Sequence, residues 1–107
     1  MSVIERIKDQ LEHNQVVLYM KGSPDFPQCG FSGQTVQILE VCRAKYKHVN
    51  ILEDPELRAA LKEYSNWPTY PQLYIGGELV GGCDIVIDLH QKGELAKLLI
   101  AAGGTEG

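Results

Sequence analysis

The run Val16-Val17-Leu18-Tyr19-Met20 constrains the fold more than any other segment of the chain. A short, continuous apolar stretch rich in β-formers predicts a strand covered on both faces. Such a strand needs partner elements above and below it, and the flanking segments supply them. Ser2-Val3-Ile4-Glu5 reads as a capping box, and Val3, Ile4, Ile7 and Leu11 then recur at helical spacing up to a stop at Asn14. After the strand, Lys21 to Gln28 form a loop punctuated by Gly22, Pro24 and Pro27. Phe31, Thr35, Ile38, Leu39, Cys42 and Tyr46 mark one face of a second helix, and His48 to Leu52 read as a second strand. Asp54-Pro55 supplies an N-cap and a first-turn proline for a third helix, continued by Leu57, Ala60, Leu61 and Tyr64. The prolines between Trp67 and Pro71 end it. Gln72 to Ile75, Gly76-Gly77 and Glu78 to Val80 give a hairpin signal. Asp84 then caps a helix carrying Ile85, Val86 and Leu89, and a last helix holds Leu95, Leu98 and Leu99 before a Gly-rich tail expected to fray after about residue 101. The order α-β-α-β-α-β-β-α-α is an α/β pattern. It predicts one domain over residues 1–107, with a four-stranded mixed sheet flanked by helices.

Composition narrows the functions such a domain can have. With 44% hydrophobic and 22% charged residues the chain is neither a disordered tail nor a fibrous repeat. Fourteen acidic against ten basic residues argue against a nucleic-acid binder, which would carry a basic face. No apolar run is long enough to span a membrane. The opening residues lack the basic-then-apolar order of an export signal, so a cytoplasmic location is expected. Three cysteines, an odd number, exclude a complete internal disulfide framework. Cys29, Cys42 and Cys83 are too widely scattered for a short zinc-ligand pattern, and no histidine is spaced to help them. The glycine patterns around Gly30 and Gly77 lack the order of a nucleotide-binding loop.

Cys29 is the candidate for chemistry. It stands after the Pro-rich loop, where the second helix begins, and unpaired amides at a helix start favour an anion. Free cysteine is often plain core, but Pro27 and Gly30 on either side indicate a surface turn. Three positions on, Ser32 stands where a dithiol enzyme would carry its second thiol. Serine forms no disulfide, so a mixed disulfide at Cys29 needs an outside thiol or a distant cysteine to resolve it. The thiolate is equally free to ligate a metal. Cys42, on the apolar face with Leu39 and Tyr46, reads as inert core.

Lys21 through Cys29-Gly30-Phe31-Ser32 resembles the signature of the monothiol, Cys-Gly-Phe-Ser class of glutaredoxins. Trp67-Pro68-Thr69-Tyr70-Pro71-Gln72 and Gly81-Gly82-Cys83-Asp84 resemble that family's two other motifs. The resemblance runs over essentially the whole chain and implies the thioredoxin-like fold that the element order also suggests. It implies glutathione binding: Lys21 and Arg58 at the glycine carboxylate, the backbone of Tyr70 before a cis Pro71 against the peptide, and Cys83 with Asp84 at the γ-glutamyl end. Asp84 serves equally as an N-cap, and Cys83 as either a backbone contact or a resolving partner for Cys29.

The resemblance further implies a 2Fe–2S cluster as cofactor. Such a cluster takes four thiolates. One chain offers Cys29 and one bound glutathione, so two chains with two glutathiones complete the set. A cluster-bound homodimer and an apo monomer are expected, with iron–sulfur acceptor proteins and BolA-like proteins as partners. Two functions follow from the same thiol. One is a carrier that assembles, stores and passes on the cluster; the other is a glutathione-dependent oxidoreductase that removes glutathione from mixed disulfides through Cys29. A catalytically silent adaptor is a third. The long loop before Cys29 would crowd an incoming disulfide, which favours the carrier.

Overall fold

The computed structural model describes residues 1–105. Helix α1 (Val3–His13) begins where the Ser2 hydroxyl accepts from the Glu5 amide at 3.1 Å and ends at Asn14. Strand β1 (Val16–Met20) follows, then α2 (Gly30–Val41), β2 (Lys47–Asn50) and a short 3-10 turn over Ile51–Glu53. Helix α3 (Pro55–Ser65), strands β3 (Gln72–Ile75) and β4 (Glu78–Gly81), α4 (Cys83–Gln91) and α5 (Glu94–Ala101) complete the order. The four strands form one mixed sheet in the order β2-β1-β3-β4. β1 runs parallel to β2 and antiparallel to β3.

Every residue of β1 is buried, as its unbroken apolar run predicts. Alternation along the strand divides the core in two. Val16, Leu18 and Met20 pack with Val36 and Leu39 of α2, Val86 of α4, and Leu95 and Leu99 of α5. Val17 and Tyr19 pack with Ile7 and Leu11 of α1 and Leu57 and Leu61 of α3. Each such side chain, fully buried, contributes about 1.5–3 kcal/mol, so the two layers hold the sheet from both sides. Gly76 and Gly77 both take positive φ (61° and 80°), the backbone a tight two-residue hairpin turn demands. Among the described residues no helix is long and apolar enough to cross a membrane.

Several local readings are corrected. The buried face of α2 is Ser32, Thr35, Val36 and Leu39, whereas Phe31, expected on it, is 59% exposed. The helix stops at Val41, so Cys42 is its C-cap rather than a mid-helix core residue. There its half-buried sulfur lies 3.7 Å from His90 Nδ1. The second strand ends at Asn50, because Ile51 turns inward through the 3-10 turn instead of continuing the ladder. Gly82, not Asp84, is the N-cap of α4, and Asp84 lies within the first turn. The tail does not fray at once: the Lys45 amide donates to Gly104 O at 2.8 Å, the Gly104 amide donates to Leu99 O at 2.8 Å, and Thr105 bridges Ala44. The rest of the predicted fraying tail, 106–107, lies outside the described residues.

Asp54 joins the two helices on one face of the sheet. Its Oδ1 caps α3 by accepting from the Leu57 amide at 3.2 Å, and its Oδ2 accepts from the Arg6 guanidinium of α1 at 2.7 Å. The Arg6 hydrogen bond holds this carboxyl below the usual range; burial opposes it, and the Leu57 amide and the Arg6 charge add to the lowering. Replacing Asp54 with alanine should cost about 1 kcal/mol from the lost cap, plus a few tenths from the part-exposed ion pair. Because the folded pKa is depressed, the charge's contribution is present above the unfolded value and is lost as pH falls through the folded one. Urea unfolding of wild type and Asp54→Asn should therefore give a stability gap at pH 7 that closes in the acid range below about 4.

Candidate functional site

Cys29 is the N-cap residue of α2, in extended backbone at the end of the loop that leaves β1. Its sulfur is partly exposed. Its side chain makes no full capping hydrogen bond to the α2 amides. The thiolate is the form this position favours. The Ser32 amide, then the Phe31 amide, the Lys21 charge and the Ser32 hydroxyl hold the thiol below its ordinary range, and partial burial opposes them only in part. Burial instead pushes the thiols of Cys42 and Cys83 up. Ser32 is fully buried, and its hydroxyl accepts from the Lys21 amide at 3.2 Å. The position a second thiol would occupy is thus used to tie the loop to the helix.

All six residues singled out in the sequence line one cleft of about 570 Å³: Lys21, Cys29, Arg58, Tyr70, Cys83 and Asp84. Five separate segments deliver them, Cys29 coming from the N-cap of α2. Lys21 follows β1, Arg58 sits in α3, Tyr70 precedes β3, and Cys83 with Asp84 opens α4. The Tyr70–Pro71 peptide bond is cis. The Tyr70 ring is buried, with its hydroxyl donating to Arg58 O at 2.6 Å, so this residue offers the cleft its backbone rather than its phenol. Burial, with Tyr74 nearby, pushes the Tyr70 phenol up to about 12, and it stays a donor at neutral pH. Gln72, fully buried, holds the same loop: its Nε2 donates to Trp67 O at 3.0 Å and Thr69 O at 3.3 Å, and its Oε1 accepts from the Tyr74 hydroxyl. Gly82 lies so close to Pro71 O and Trp67 that a Cβ there would sit 3.3 Å from the carbonyl oxygen. No side chain caps α4, which leaves its first amides facing the cleft end without an internal partner. Cys83 is buried, its thiol 3.4 Å from Gln34 Oε1, so the cleft meets one accessible thiol, that of Cys29.

Sequence reasoning missed Lys62, Trp67, Phe31 and Ile85 as cleft residues. Lys62 was findable, since it stands four residues after Arg58 on the same helix face. Trp67 was findable as well, since it opens the motif that brings Tyr70 to the cleft. Its Nε1 is buried without a hydrogen-bond partner among the described residues. Phe31 and Ile85 leave apolar surface at the cleft rim.

The family model for glutaredoxin matches residues 16–80. The chain belongs to the glutaredoxin family. Glutaredoxin 4 of Escherichia coli strain K12 is 54% identical over 98 residues, which cover 92% of this chain and 85% of that protein. Among solved structures, reduced apo GrxS14 of poplar is 50% identical with a TM-score of 0.83, covering 94% of this chain and 93% of its own. A buckwheat glutaredoxin solved as a glutathione complex is 24% identical with a TM-score of 0.86, covering 96% and 92%, and shares the fold. The thioredoxin-like α/β arrangement is therefore the fold of this glutaredoxin, whose Cys29-Gly30-Phe31-Ser32 motif carries a single thiol.

In this glutaredoxin the three thiols should separate by pH. Iodoacetamide alkylation followed residue by residue by mass spectrometry should reach half its maximal rate at Cys29 below the ordinary thiol range. Cys42 and Cys83 should do so above it. Cys29 reacting no earlier than Cys42 would refute the role given to the α2 amides.

Proposed function

We propose that this glutaredoxin binds glutathione in the cleft and that two copies, each with one glutathione, hold a 2Fe–2S cluster for assembly, storage and transfer. The observation that supports the reading is the donor set. One accessible, anion-favouring thiol lies in a cleft large enough for a small peptide. Among the described residues no group of three or more His, Cys, Asp or Glu side chains could hold a metal. A cluster needing four thiolates fits one such chain only if other molecules contribute. A second Cys29 and two glutathione thiols meet that need.

The cleft's charges suit the ligand. Lys21 and Arg58 take the glycine carboxylate through charge-assisted hydrogen bonds. The Tyr70 backbone pairs with the extended peptide as an added strand would. The uncapped start of α4 receives the γ-glutamyl carboxylate at the Cys83 amide, and the Asp84 carboxylate receives the ammonium. The cargo is passed to acceptor apoproteins, with BolA-like proteins as exchange partners. Three free thiols suit a reducing compartment, and the cytoplasm is the proposed location.

The lowered Cys29 thiol favours a second reading, deglutathionylation. Here the Cys29 thiolate attacks the glutathione sulfur of a mixed disulfide and the substrate leaves as its thiolate. A second glutathione thiolate then attacks the glutathione sulfur of the Cys29–glutathione disulfide so formed, giving glutathione disulfide and returning Cys29 as its thiolate.

Anaerobic reconstitution with iron, sulfide and glutathione should produce a visible cluster spectrum and a shift from monomer to dimer, both absent in Cys29→Ser and retained in Cys42→Ser. Lys21→Gln removes one charge-assisted bond worth about 1.5–3 kcal/mol, so glutathione affinity should fall about tenfold or more and the cluster should decay faster. Disulfide turnover without any cluster would select the second reading. A cluster that persists after exhaustive glutathione removal would overturn the first.

A further inference from the structure

Lys21 sits at the root of a loop folded on itself. The Gln28 amide donates to Lys21 O at 2.9 Å, Gly22 bridges Pro27, and Ser23 and Phe26 exchange main-chain hydrogen bonds. Gly22 is buried with φ at 94°, and a Cβ there would lie 2.5 Å from Phe26 O, so only glycine fits. These contacts close the loop but do not attach it to the elements around it. Two bonds from outside do. One is the Ser32 hydroxyl on the Lys21 amide, and the other is the Asn50 side chain on the Gly22 amide.

Asn50 is placed for this by the strand register. It lies opposite Met20, the last residue of β1, in the parallel pair. Had β2 continued, a main-chain carbonyl could have met the Gly22 amide. The chain turns instead into the 3-10 segment at Ile51. Asn50 Oδ1 fills the gap, accepting from Gly22 N at 2.9 Å and from Leu52 N at 3.0 Å. Both lone pairs of one carbonyl oxygen are used, one on each side of the departing chain.

We propose that Asn50 is a positioning residue for Lys21: by holding the Gly22 amide it fixes the point from which the Lys21 side chain enters the cleft beside Cys29. The proposal rests on the reading above, in which Lys21 meets a glutathione carboxylate. It adds that the affinity of that site is set in part from the end of β2, outside the cleft lining.

The test is a double-mutant cycle on the full chain with wild type, Lys21→Gln, Asn50→Leu and the double variant. Two readouts are taken: glutathione affinity from the fluorescence of Trp67, the chain's one tryptophan, and the pH of half-maximal Cys29 alkylation without glutathione. Asn50→Leu should weaken glutathione about fivefold and move Cys29 alkylation to higher pH. In the Lys21→Gln background it should change neither. Asn50→Ala, which adds no apolar bulk, should reproduce this ordering if the leucine variant fails to fold. Asn50→Asp, which keeps the acceptor, should bind glutathione within about twofold of wild type. Additive effects in the double variant, or a Cys29 profile unmoved by loss of Asn50, would overturn the proposal. Coupled shifts at Cys29 with no glutathione binding by any variant would uphold Asn50 as a positioning residue and refute the ligand reading alone.

Discussion

The architecture depends on the burial of both faces of β1. Because odd and even side chains of Val16–Met20 enter different cores, neither helical layer can be lost without exposing half of the strand. The same strand ends where the cleft begins. Met20 is fully buried, Lys21 is partly exposed, and the loop from Gly22 to Gln28 carries the chain to Cys29. The chemical group is therefore referenced to a strand buried along its whole length, through a loop closed by its own hydrogen bonds.

Electrostatics at the cleft run against the balance of the whole chain. The protein carries a net charge of −4, yet Lys21, Arg58 and Lys62 face one cleft in which Asp84 is the acidic group. Together with the amides opening α2 and α4, this is an environment for a small ligand bearing carboxylates and a thiolate. Tyr70 couples the parts: its buried hydroxyl bonds to the α3 backbone at Arg58, so the Thr69–Pro71 loop and the helix bearing the cation are held at one spacing.

Patterns local in sequence were legible. The apolar run of β1, the Asp54-Pro55 helix start and the Gly76-Gly77 turn each state their structure within a few residues, and all appear as read. The six cleft residues were legible through three short motifs resembling those of one family, together with the position of Arg58; composition alone would not have assembled them. What escaped was decided by tertiary context. Phe31 has the spacing of a core residue, but the first turn of α2 lies at the cleft, so it faces solvent. Asn50 sat within a predicted strand, and only the three-dimensional placement of Gly22 reveals why the ladder stops there. Gly82 displaced Asp84 as helix cap because close packing on Pro71 and Trp67 leaves that position little room for a side chain.

Native mass spectrometry of the anaerobically reconstituted protein tests the donor-set argument most directly. One accessible thiol per chain predicts a single cluster-bearing species composed of two chains, two glutathiones, two irons and two sulfides, which loses glutathione and cluster together as it returns to monomers. A cluster carried by one chain, or by two chains without glutathione, would contradict it.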